Sequence, residues 1–390
     1  MRRALTSVLI RRAFGCGVLW AASLLWVTAA SAQIVHGQRP VVTQGLNYLS
    51  WDLSGDTAFS ISQWYVPITL RTGLAENLEL SVYSAATRSS ADWSSEDNAL
   101  TGLLDSKIQL AAAFFDDRLL VSGGVSLPTG RTKLDPGEGV LIDWLTADFL
   151  NFPVKNPGEG LNLFGQLGVA TPIGRWVFGA AGAVYIAGEY TPYDNDLKYT
   201  PGSRVVGDVG VERAWEKRYR LAADLVVIYS TDDKVKGTPV FRDGIQFDGR
   251  VLGQIAIGRG SVDGAVRWIV RGKDQQPGDQ GNLVSELDNR NGNDLRLHLG
   301  ARAPIIRSFS LWLSGDAKLL AANSYPGDSP YFEDAARLTG FGGGFDLQLG
   351  RHARFEAGVR SWTGSSDGAL GLGRLNLRGI EFIQRLSVTL

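Results

Sequence analysis

Few side chains in this 390-residue sequence combine in a way that predicts catalysis. The three histidines are His36, His298 and His352. A serine nucleophile needs a histidine base and an orienting acid beside it. One Gly-x-Ser-x-Gly match occurs at 364–368, but that motif acts where a strand turns into a helix, and no helical pattern follows it. The sequence therefore predicts no catalytic residues and no enzymatic activity.

Metal-ligating residues are equally sparse. The single cysteine, Cys16, lies near the N-terminus, so the rest of the chain has no disulfide and no thiolate metal site. Histidines and carboxylates do not occur at zinc-ligand spacing. The acidic residues Asp232 and Asp233, and the segment 194–196, match no recognised calcium-loop motif. We expect neither a bound metal nor a cofactor.

Charged side chains alternate with apolar ones through much of the sequence. In the stretch 220–224, for example, Arg220, Ala222 and Asp224 fall on one face of a strand, and Leu221 and Ala223 fall on the other. A period of two gives a β-strand two unlike faces. The candidates for the wet, pore-lining face are Asp105, Lys107, Asp208, Arg220, Asp224, Asp248, Arg250, Asp263, Arg267, Arg271, Arg296, His298, Arg302, Asp316, Lys318, Glu356 and Arg360.

These charges are compatible with two roles, which do not exclude each other. Side chains of both signs can form ion-pair networks that fill and stiffen the interior of a barrel, or they can line a water-filled path. Positive charge exceeds negative charge in one region, formed by Arg267, Arg271, Arg296, His298 and Arg302. Rings of basic side chains favour anions, so this region predicts a weak preference for anions or carboxylates.

The alternating segments come in pairs joined by very short turns. The pairs are 62–75 with 78–90, 100–115 with 118–128, 160–171 with 175–188, 203–215 with 218–230, 244–258 with 261–272, 292–304 with 308–321, and 336–350 with 353–364. Together with the unpaired segments 45–54 and 372–390, they give about 16 strands, with 14 as the alternative. Long polar loops connect one pair to the next.

This layout predicts an all-β fold, a transmembrane antiparallel up-and-down β-barrel. The apolar faces, such as the one containing Val262, Val266, Trp268 and Val270, carry no charge, as lipid contact requires. Soluble β-sandwiches and propellers have the opposite pattern, because they bury their apolar residues. We expect both termini and the short turns on the periplasmic side and the long loops outside the cell.

The N-terminus has the pattern of a cleavable export signal. Arginines at positions 2, 3, 11 and 12 precede an apolar stretch, and Ala30-Ser31-Ala32 is a small-x-small cleavage site. We predict a signal peptide at 1–32, a short N-terminal segment at 33–44 and the barrel at 45–390. The net charge of the whole chain is −1 and no basic face stands out, so nucleic-acid binding is not predicted.

One long loop has apolar residues at helical spacing. The pattern covers residues 140–150, which lie between Pro136 and Pro153, and it predicts a short amphipathic helix there. Such a helix would pack over the rim of the barrel or act as a lid and an apolar surface that captures solute. The lid candidates are Leu141, Trp144, Leu145 and Phe149.

Two stretches resemble a known family. The hairpin at 65–84 (YVPITLRTGLAENLELSVYS) and the segment 122–133 (SGGVSLPTGRTK) are similar to outer-membrane proteins of the phenol meta-cleavage pathway. Those proteins are related to the outer-membrane long-chain fatty-acid transporters. The resemblance implies passage of small aromatic or other hydrophobic molecules across the outer membrane. The long N-terminal plug of the fatty-acid transporters has no counterpart here, and the chain ends in Leu390 rather than the terminal Phe.

These patterns predict a barrel of the outer membrane of a Gram-negative bacterium, acting as a passive channel or transporter for small, hydrophobic or aromatic molecules. The alternatives are a general diffusion porin with a charged lumen and a non-transport structural or assembly barrel. The expected partners are outer-membrane lipid, the barrel assembly machinery during biogenesis and a small-molecule solute. The sequence does not indicate an oligomeric state.

Overall fold

A computed structural model describes residues 39–55, 58–92, 98–192, 197–216, 218–278, 281–329, 332–367 and 373–390. The predicted signal peptide lies outside the described residues, as do half of the predicted N-terminal segment, residues 33–38, and the acidic segment 194–196. No helix of the described part is long and apolar enough to span a membrane.

Most of the described chain forms long antiparallel strands. Numbered along the chain, the wall strands are β1 (Val41–Gly55), β2 (Phe59–Ala75), β3 (Leu78–Asp92), β4 (Asn98–Leu103) continued by β5 (Ser106–Phe114), β6 (Leu119–Leu127), β7 (Asn162–Ile173), β8 (Trp176–Ile186), β10 (Arg204–Trp215), β11 (Tyr219–Ser230), β14 (Gln246–Ile257), β15 (Gly260–Arg271), β18 (Asp294–Ile306), β19 (Phe309–Leu320), β20 (Ala336–Leu349), β21 (Ala353–Asp367) and β22 (Arg374–Thr389).

Smaller elements lie in the connections between wall strands. They are the helix α1 (Pro136–Thr146) and the short strands β9 (Tyr199–Thr200), β12 (Asp233–Val235), β13 (Thr238–Phe241), β16 (Gln275–Pro277) and β17 (Leu283–Ser285).

The wall is a closed barrel of 16 strands when β4 and β5 are counted as one interrupted strand. The first and last strands pair along their whole length, from Val41 with Thr389 to Gly55 with Leu375. Closure leaves no free sheet edge, which a lipid environment requires. The prediction of 16 strands is confirmed and the alternative of 14 is wrong. The first strand begins at Val41, so the barrel starts four residues before the predicted boundary at 45.

The two ends of the barrel differ. Short turns join the strands at one end, here called the turn end. Most connections at the other end, here called the loop end, are longer, and the one between β1 and β2 is short. Asp116 and Asp117 adopt φ of 55° and 65°, and Gly174 adopts 63°. Asp and Gly tolerate this left-handed backbone better than most residues, which explains why they occupy these tight turns. The strand termini Val41 and Thr389 are both at the turn end.

Strand register assigns each residue to a face. Asp224 lies beside Arg250 and Arg250 beside Arg267, so these charges share the inner face. Their neighbours Val251 and Val266 pair with each other on the outer face and remain exposed. An uncharged outer face suits lipid contact, and the alternation predicted from the sequence is therefore confirmed for these strands.

At the loop end of β1–β3 and β20–β22, the two faces are reversed. Inward-facing Leu49, Trp51, Ile61 and Leu377 form an apolar core, whereas the outward positions next to them, such as Asp52, are polar and exposed. Apolar residues inside and polar residues outside are the arrangement of a water-soluble sheet. The reversal indicates that these strands extend beyond the lipid-facing band.

Glycines bring large rings close to the wall in this core. A Cβ added to Gly379 would lie 2.8 Å from the ring of Trp51, and one added to Gly340 would lie 2.7 Å from the ring of Trp362. Both indole rings therefore lie flat against a neighbouring strand that has no side chain at that point. This packing leaves room in the lumen for the connection between β6 and β7.

Candidate functional site

The connection between β6 and β7 folds into the lumen rather than over the rim. We call residues 130–160 the plug. α1 begins four residues before the predicted helix. At its start, the backbone N–H of Asp135 donates to Oε2 of Glu138 at 2.8 Å, so this N–H group has a hydrogen-bond partner. Plug residues contact β1 and β2 on one side of the barrel and β15 and β19 on the other. The plug therefore crosses the lumen.

The four lid candidates face the wall of the barrel. Leu141, Trp144, Leu145 and Phe149 pack into the apolar core at the loop end, and Trp144 and Phe149 are only 7% and 6% exposed. Burying them against the wall removes apolar surface from water on both partners. In this conformation they hold the plug in place and are not a surface on which solute could be captured.

Buried hydrogen bonds fix the apolar side of the plug to the wall. The indole N–H of Trp51 donates to the carbonyl of Leu150 at 2.7 Å. The Gln63 amide donates to the carbonyl of Val154 at 2.7 Å, and its oxygen accepts the N–H of Val154 at 2.8 Å. The Gln63 amide thus pairs with the backbone of the plug as a neighbouring strand would. Both the N–H and the carbonyl of Val154 therefore have hydrogen-bond partners.

Asp105 holds both ends of the plug at once. It lies between β4 and β5, is buried, and accepts the N–H of Gly130 at 2.8 Å through Oδ1. Its Oδ2 accepts the N–H groups of Glu159 at 2.7 Å and Gly160 at 3.1 Å. One carboxylate therefore joins the residues where the plug enters and leaves the lumen. Its neighbour Lys107 also faces the lumen, at the next inward position of β5.

Ion pairs fix the polar side of the plug. Asp148 contacts Arg271 of β15 at 2.8 Å and Lys155 of the plug itself at 3.1 Å. Lys318 of β19 donates to the backbone carbonyl of Asp148 and to Oδ1 of Asn151 at 2.9 Å. Two basic residues predicted to line the pore, Arg271 and Lys318, are thus bonded to the plug.

A cavity of about 870 Å³ lies between the plug and the turn end. It extends from Asn151 of the plug to Asp117 and Arg118 in the turn after β5. The predicted pore-lining residues that border this cavity are Asp208, Arg220, Asp224, Arg250, Asp263, Arg267, Arg296, His298, Asp316, Lys318 and Arg360. The remaining candidates do not border it; they are Asp105, Lys107, Asp248, Arg271, Arg302 and Glu356. Five of them face inward by register, and Asp105 lies between β4 and β5.

Most charges at the cavity are paired. Nδ1 of His298 is 2.7 Å from Asp316, and its Nε2 is 3.5 Å from Asp263. Arg360 contacts Asp316 at 3.1 Å and Glu381 at 3.0 Å. Because both ring nitrogens of His298 face carboxylates, the imidazole is not placed to activate a serine. These pairs are an ion-pair network of the kind that the alternating charges predict.

The remaining chemical motifs do not form a site in the described part of the chain. The serine of the Gly-x-Ser-x-Gly match, Ser366, lies within β21 rather than at a turn into a helix, and Gly368 lies outside the described residues. No group of histidine and acidic side chains within the described ranges is arranged to hold a metal ion.

The plug contacts were not predicted from the sequence. Trp51, Gln63 and Asn151 are ordinary residues of a strand or a loop by type and spacing, and their partners are far away in the chain. Trp51 and Leu150, for example, are separated by 99 positions. The one available signal was the apolar helical pattern in the longest loop, because such a helix needs an apolar partner surface.

Two carboxyl groups at the loop end are perturbed by burial. Burial raises the pKa of Asp233 to about 6, although hydrogen bonds from Tyr199 and the N–H of Gly202 oppose this shift. Burial and the charge of Asp233 raise the pKa of Asp243 to about 8, against the opposing charge of Arg204. Both groups lie in the connection between β11 and β14, outside the wall strands.

This connection should loosen as the pH rises. A carboxyl group whose pKa is higher in the folded than in the unfolded chain stabilises the fold when protonated, and this contribution is lost as the pH rises through the folded value. We expect hydrogen exchange in β12 and β13, corrected for the intrinsic rate, to increase between pH 5 and pH 9. Asp243→Asn should remove much of the change above pH 7, whereas Asp328→Asn in another exposed loop should not. Equal protection at both pH values would contradict the prediction.

No known protein family and no curated protein matches the sequence. The fold, however, has counterparts among solved structures. The high-pH structure of Pseudomonas putida OprB superposes with a TM-score of 0.52 at 9% identity, covering 94% of this chain and 97% of that chain. This chain has the fold of an outer-membrane β-barrel.

Two further structures are similar at lower scores. The deltaS2 mutant of the TodX monoaromatic hydrocarbon channel has a TM-score of 0.48 at 9% identity, covering 90% of this chain and 91% of that one. A FadL homologue from Pseudomonas aeruginosa has a TM-score of 0.43 at 8% identity, covering 90% of each chain. Identities of 8% and 9% are too low to indicate the solute of this chain.

Proposed function

We propose that this protein is an outer-membrane channel for the passive passage of small apolar or aromatic molecules, closed at rest by its own plug. The observation that carries the proposal is a solute-sized cavity inside a closed membrane barrel, separated from the loop end by a segment that is latched to opposite walls. Pockets of this size and polarity are typical of small-molecule sites.

The wall of the cavity supports an apolar solute. A patch of small residues borders the cavity on β7, β8 and β10, formed by Gly168, Ala170, Gly179, Ala181 and Gly210. The patch has no hydrogen-bonding side chain of its own, and the carboxylates of Asp208 and Glu212 flank it on β10. The resemblance of the 65–84 hairpin to outer-membrane proteins of the phenol meta-cleavage pathway agrees with this class of solute.

The proposal includes an orientation and partners. The loop end faces the outside of the cell, and the turn end, with both barrel termini, faces the periplasm. Export by a cleaved signal peptide at 1–32 and insertion by the barrel assembly machinery follow from this location. The barrel has no enzymatic activity in this proposal, and outer-membrane lipid surrounds its apolar belt.

A general diffusion porin is the second candidate, because charges of both signs line the lumen. The plug argues against it, since α1 and residues 147–155 fill the loop end of the barrel and are buried there. A porin would conduct ions in stable steps without any change to the plug.

Uptake by intact cells tests the proposal. A bacterial host without its own porins should take up radiolabelled benzyl alcohol at limiting concentration about five-fold faster when it makes this protein, if an open path through the lumen replaces diffusion across the outer membrane. Ala222→Trp should remove most of the gain, because Ala222 faces the cavity. Ala223→Trp, one residue on and facing lipid, is the matched control. Equal uptake with and without the protein would rule the proposal out.

A further inference from the structure

The cavity has one strongly basic border. Arg250 pairs with Arg267, Arg267 with Arg296 and Arg296 with Lys318 in the register of β14, β15, β18 and β19. We call these four residues the basic rung. All of them border the cavity, at its plug side. Four neighbouring cations on one level of the wall give a local excess of positive charge, which attracts anions.

Much of the charge that balances the rung lies behind the cavity surface. Asp248 forms an ion pair with Arg267 at 2.5 Å, and Asp294 forms an ion pair with Arg296 at 2.5 Å. These two carboxylates are 2% and 1% exposed, lie one step nearer the loop end and do not border the cavity. Asp224, at the end of the rung, borders the cavity but is bonded to Arg250 at 2.6 Å. The cations therefore face the cavity more than their partners do.

Arg296 is the member best placed to bind a further anion. The Asp294 carboxylate accepts hydrogen bonds from the Nε and Nη2 groups of Arg296, and no described residue accepts a hydrogen bond from its Nη1 group. Its side chain is 28% exposed, more than that of Arg267 at 10% or Lys318 at 3%. A guanidinium with one edge engaged still offers donors for a carboxylate.

The next step toward the turn end is apolar on three strands, where Ala222 pairs with Leu252 and Leu252 with Ala265 on the inner face. On β18 and β19 the same step is polar, because Ala265 pairs with His298 and His298 with Asp316. The small-residue surface that includes Gly179 and Gly210 also borders the cavity. A molecule with its charged group at Arg296 can therefore place the rest of its body against Ala265 and Leu252, on the strands beside β18.

We propose that the cavity selects small amphipathic anions, with the carboxylate at Arg296 and the apolar body toward the turn end. This inference rests on the proposed function and narrows its solutes from small apolar molecules to aromatic or short aliphatic carboxylates. The acids nearest to Arg296 at the cavity, Asp263 on β15 and Asp316 on β19, both face His298, at 3.5 Å and 2.7 Å. Asp208 and Glu212 lie farther away, on β10.

Calorimetric binding to the refolded full-length protein tests the inference. Benzoate, benzyl alcohol and benzylamine have similar size and carry a negative, zero and positive charge at pH 7. We expect benzoate to bind about ten-fold more tightly than benzyl alcohol, because a charge-assisted hydrogen bond is stronger than a neutral one. Benzylamine should bind least tightly.

Variants of the basic rung distinguish the effect of losing a charge from the effect of losing the fold. Arg296→Gln should bring the affinity for benzoate down to that for benzyl alcohol, and Arg296→Lys should retain most of the preference. Arg385→Gln, an inward arginine outside the cavity, is the matched control. Unchanged binding of benzyl alcohol shows that Arg296→Gln is folded.

Three outcomes overturn the inference: no binding of benzoate, equal affinity for benzoate and benzyl alcohol, or a preference that survives Arg296→Gln. None of these contradicts the channel itself, whose test is the uptake of benzyl alcohol by cells. Conversely, if the protein binds benzoate but does not increase the uptake of benzyl alcohol by cells, the binding site is supported and the channel function is ruled out.

Discussion

Replacing residues 138–152 with a Gly/Ser linker of equal length should convert a barrel that is silent in planar bilayers into one with stable, large conductance steps. The replacement removes the side chains of Leu141, Leu145, Asp148 and Leu150, which anchor the plug to both walls. A flexible polar linker gains nothing from the apolar core and therefore does not stay in the lumen. We expect the conductance of the variant to exceed that of the wild type by at least about ten-fold, as for barrels whose lumen is not plugged.

The control for this experiment is a linker of the same kind in the hairpin 234–240, which lies at the loop end outside the plug. Heat-modifiable migration in electrophoresis confirms that each variant forms a barrel. Large steps in the wild-type protein would favour the porin alternative, because the plug would then leave an open path. A plug variant that is inserted but silent would show that another segment closes the lumen.

The barrel wall was predictable from the sequence because each strand follows a local rule. Side chains alternate between faces at a period of two, and tight turns need residues that tolerate positive φ, such as Asp116 and Gly174. Both signals are contained within about ten neighbouring residues. The strand pairs followed from them. Arg267 and His298 were assigned to the inner face by a further rule, that lipid excludes charged side chains.

The site was less predictable because its contacts join distant parts of the chain. Alternation shows that a strand has two faces but not which of them is inside. At Trp51 and Leu53 the apolar face is the inner one, whereas at Val251 and Val266 it is the outer one. The helix in the long loop was predicted, but its place depends on this reversal, since the apolar inner face at the loop end is what it packs against.

Asp105→Ala should release the plug without changing any residue in it. The substitution leaves the buried N–H group of Gly160 and the partly buried N–H groups of Gly130 and Glu159 without the acceptor that now satisfies them. Each buried donor that loses its partner costs about 1–3 kcal/mol, so we expect the closed state to lose roughly 3 kcal/mol or more relative to open states in which water solvates these groups. The ends of the plug should then separate from β5 far more often.

Labelling of a single buried cysteine measures this opening. The only cysteine of the sequence, Cys16, lies in the predicted signal peptide, so Leu145→Cys supplies one probe on the buried face of α1. If maleimide reacts only with open states, the labelling rate follows their population, and Asp105→Ala should raise it about 100-fold. Asp52→Ala, an exposed carboxylate on the outer face of β1, should leave the rate unchanged. A rate unaffected by Asp105→Ala would mean that the apolar contacts of α1 and the bonds of Gln63 and Asp148 hold the plug closed without this carboxylate.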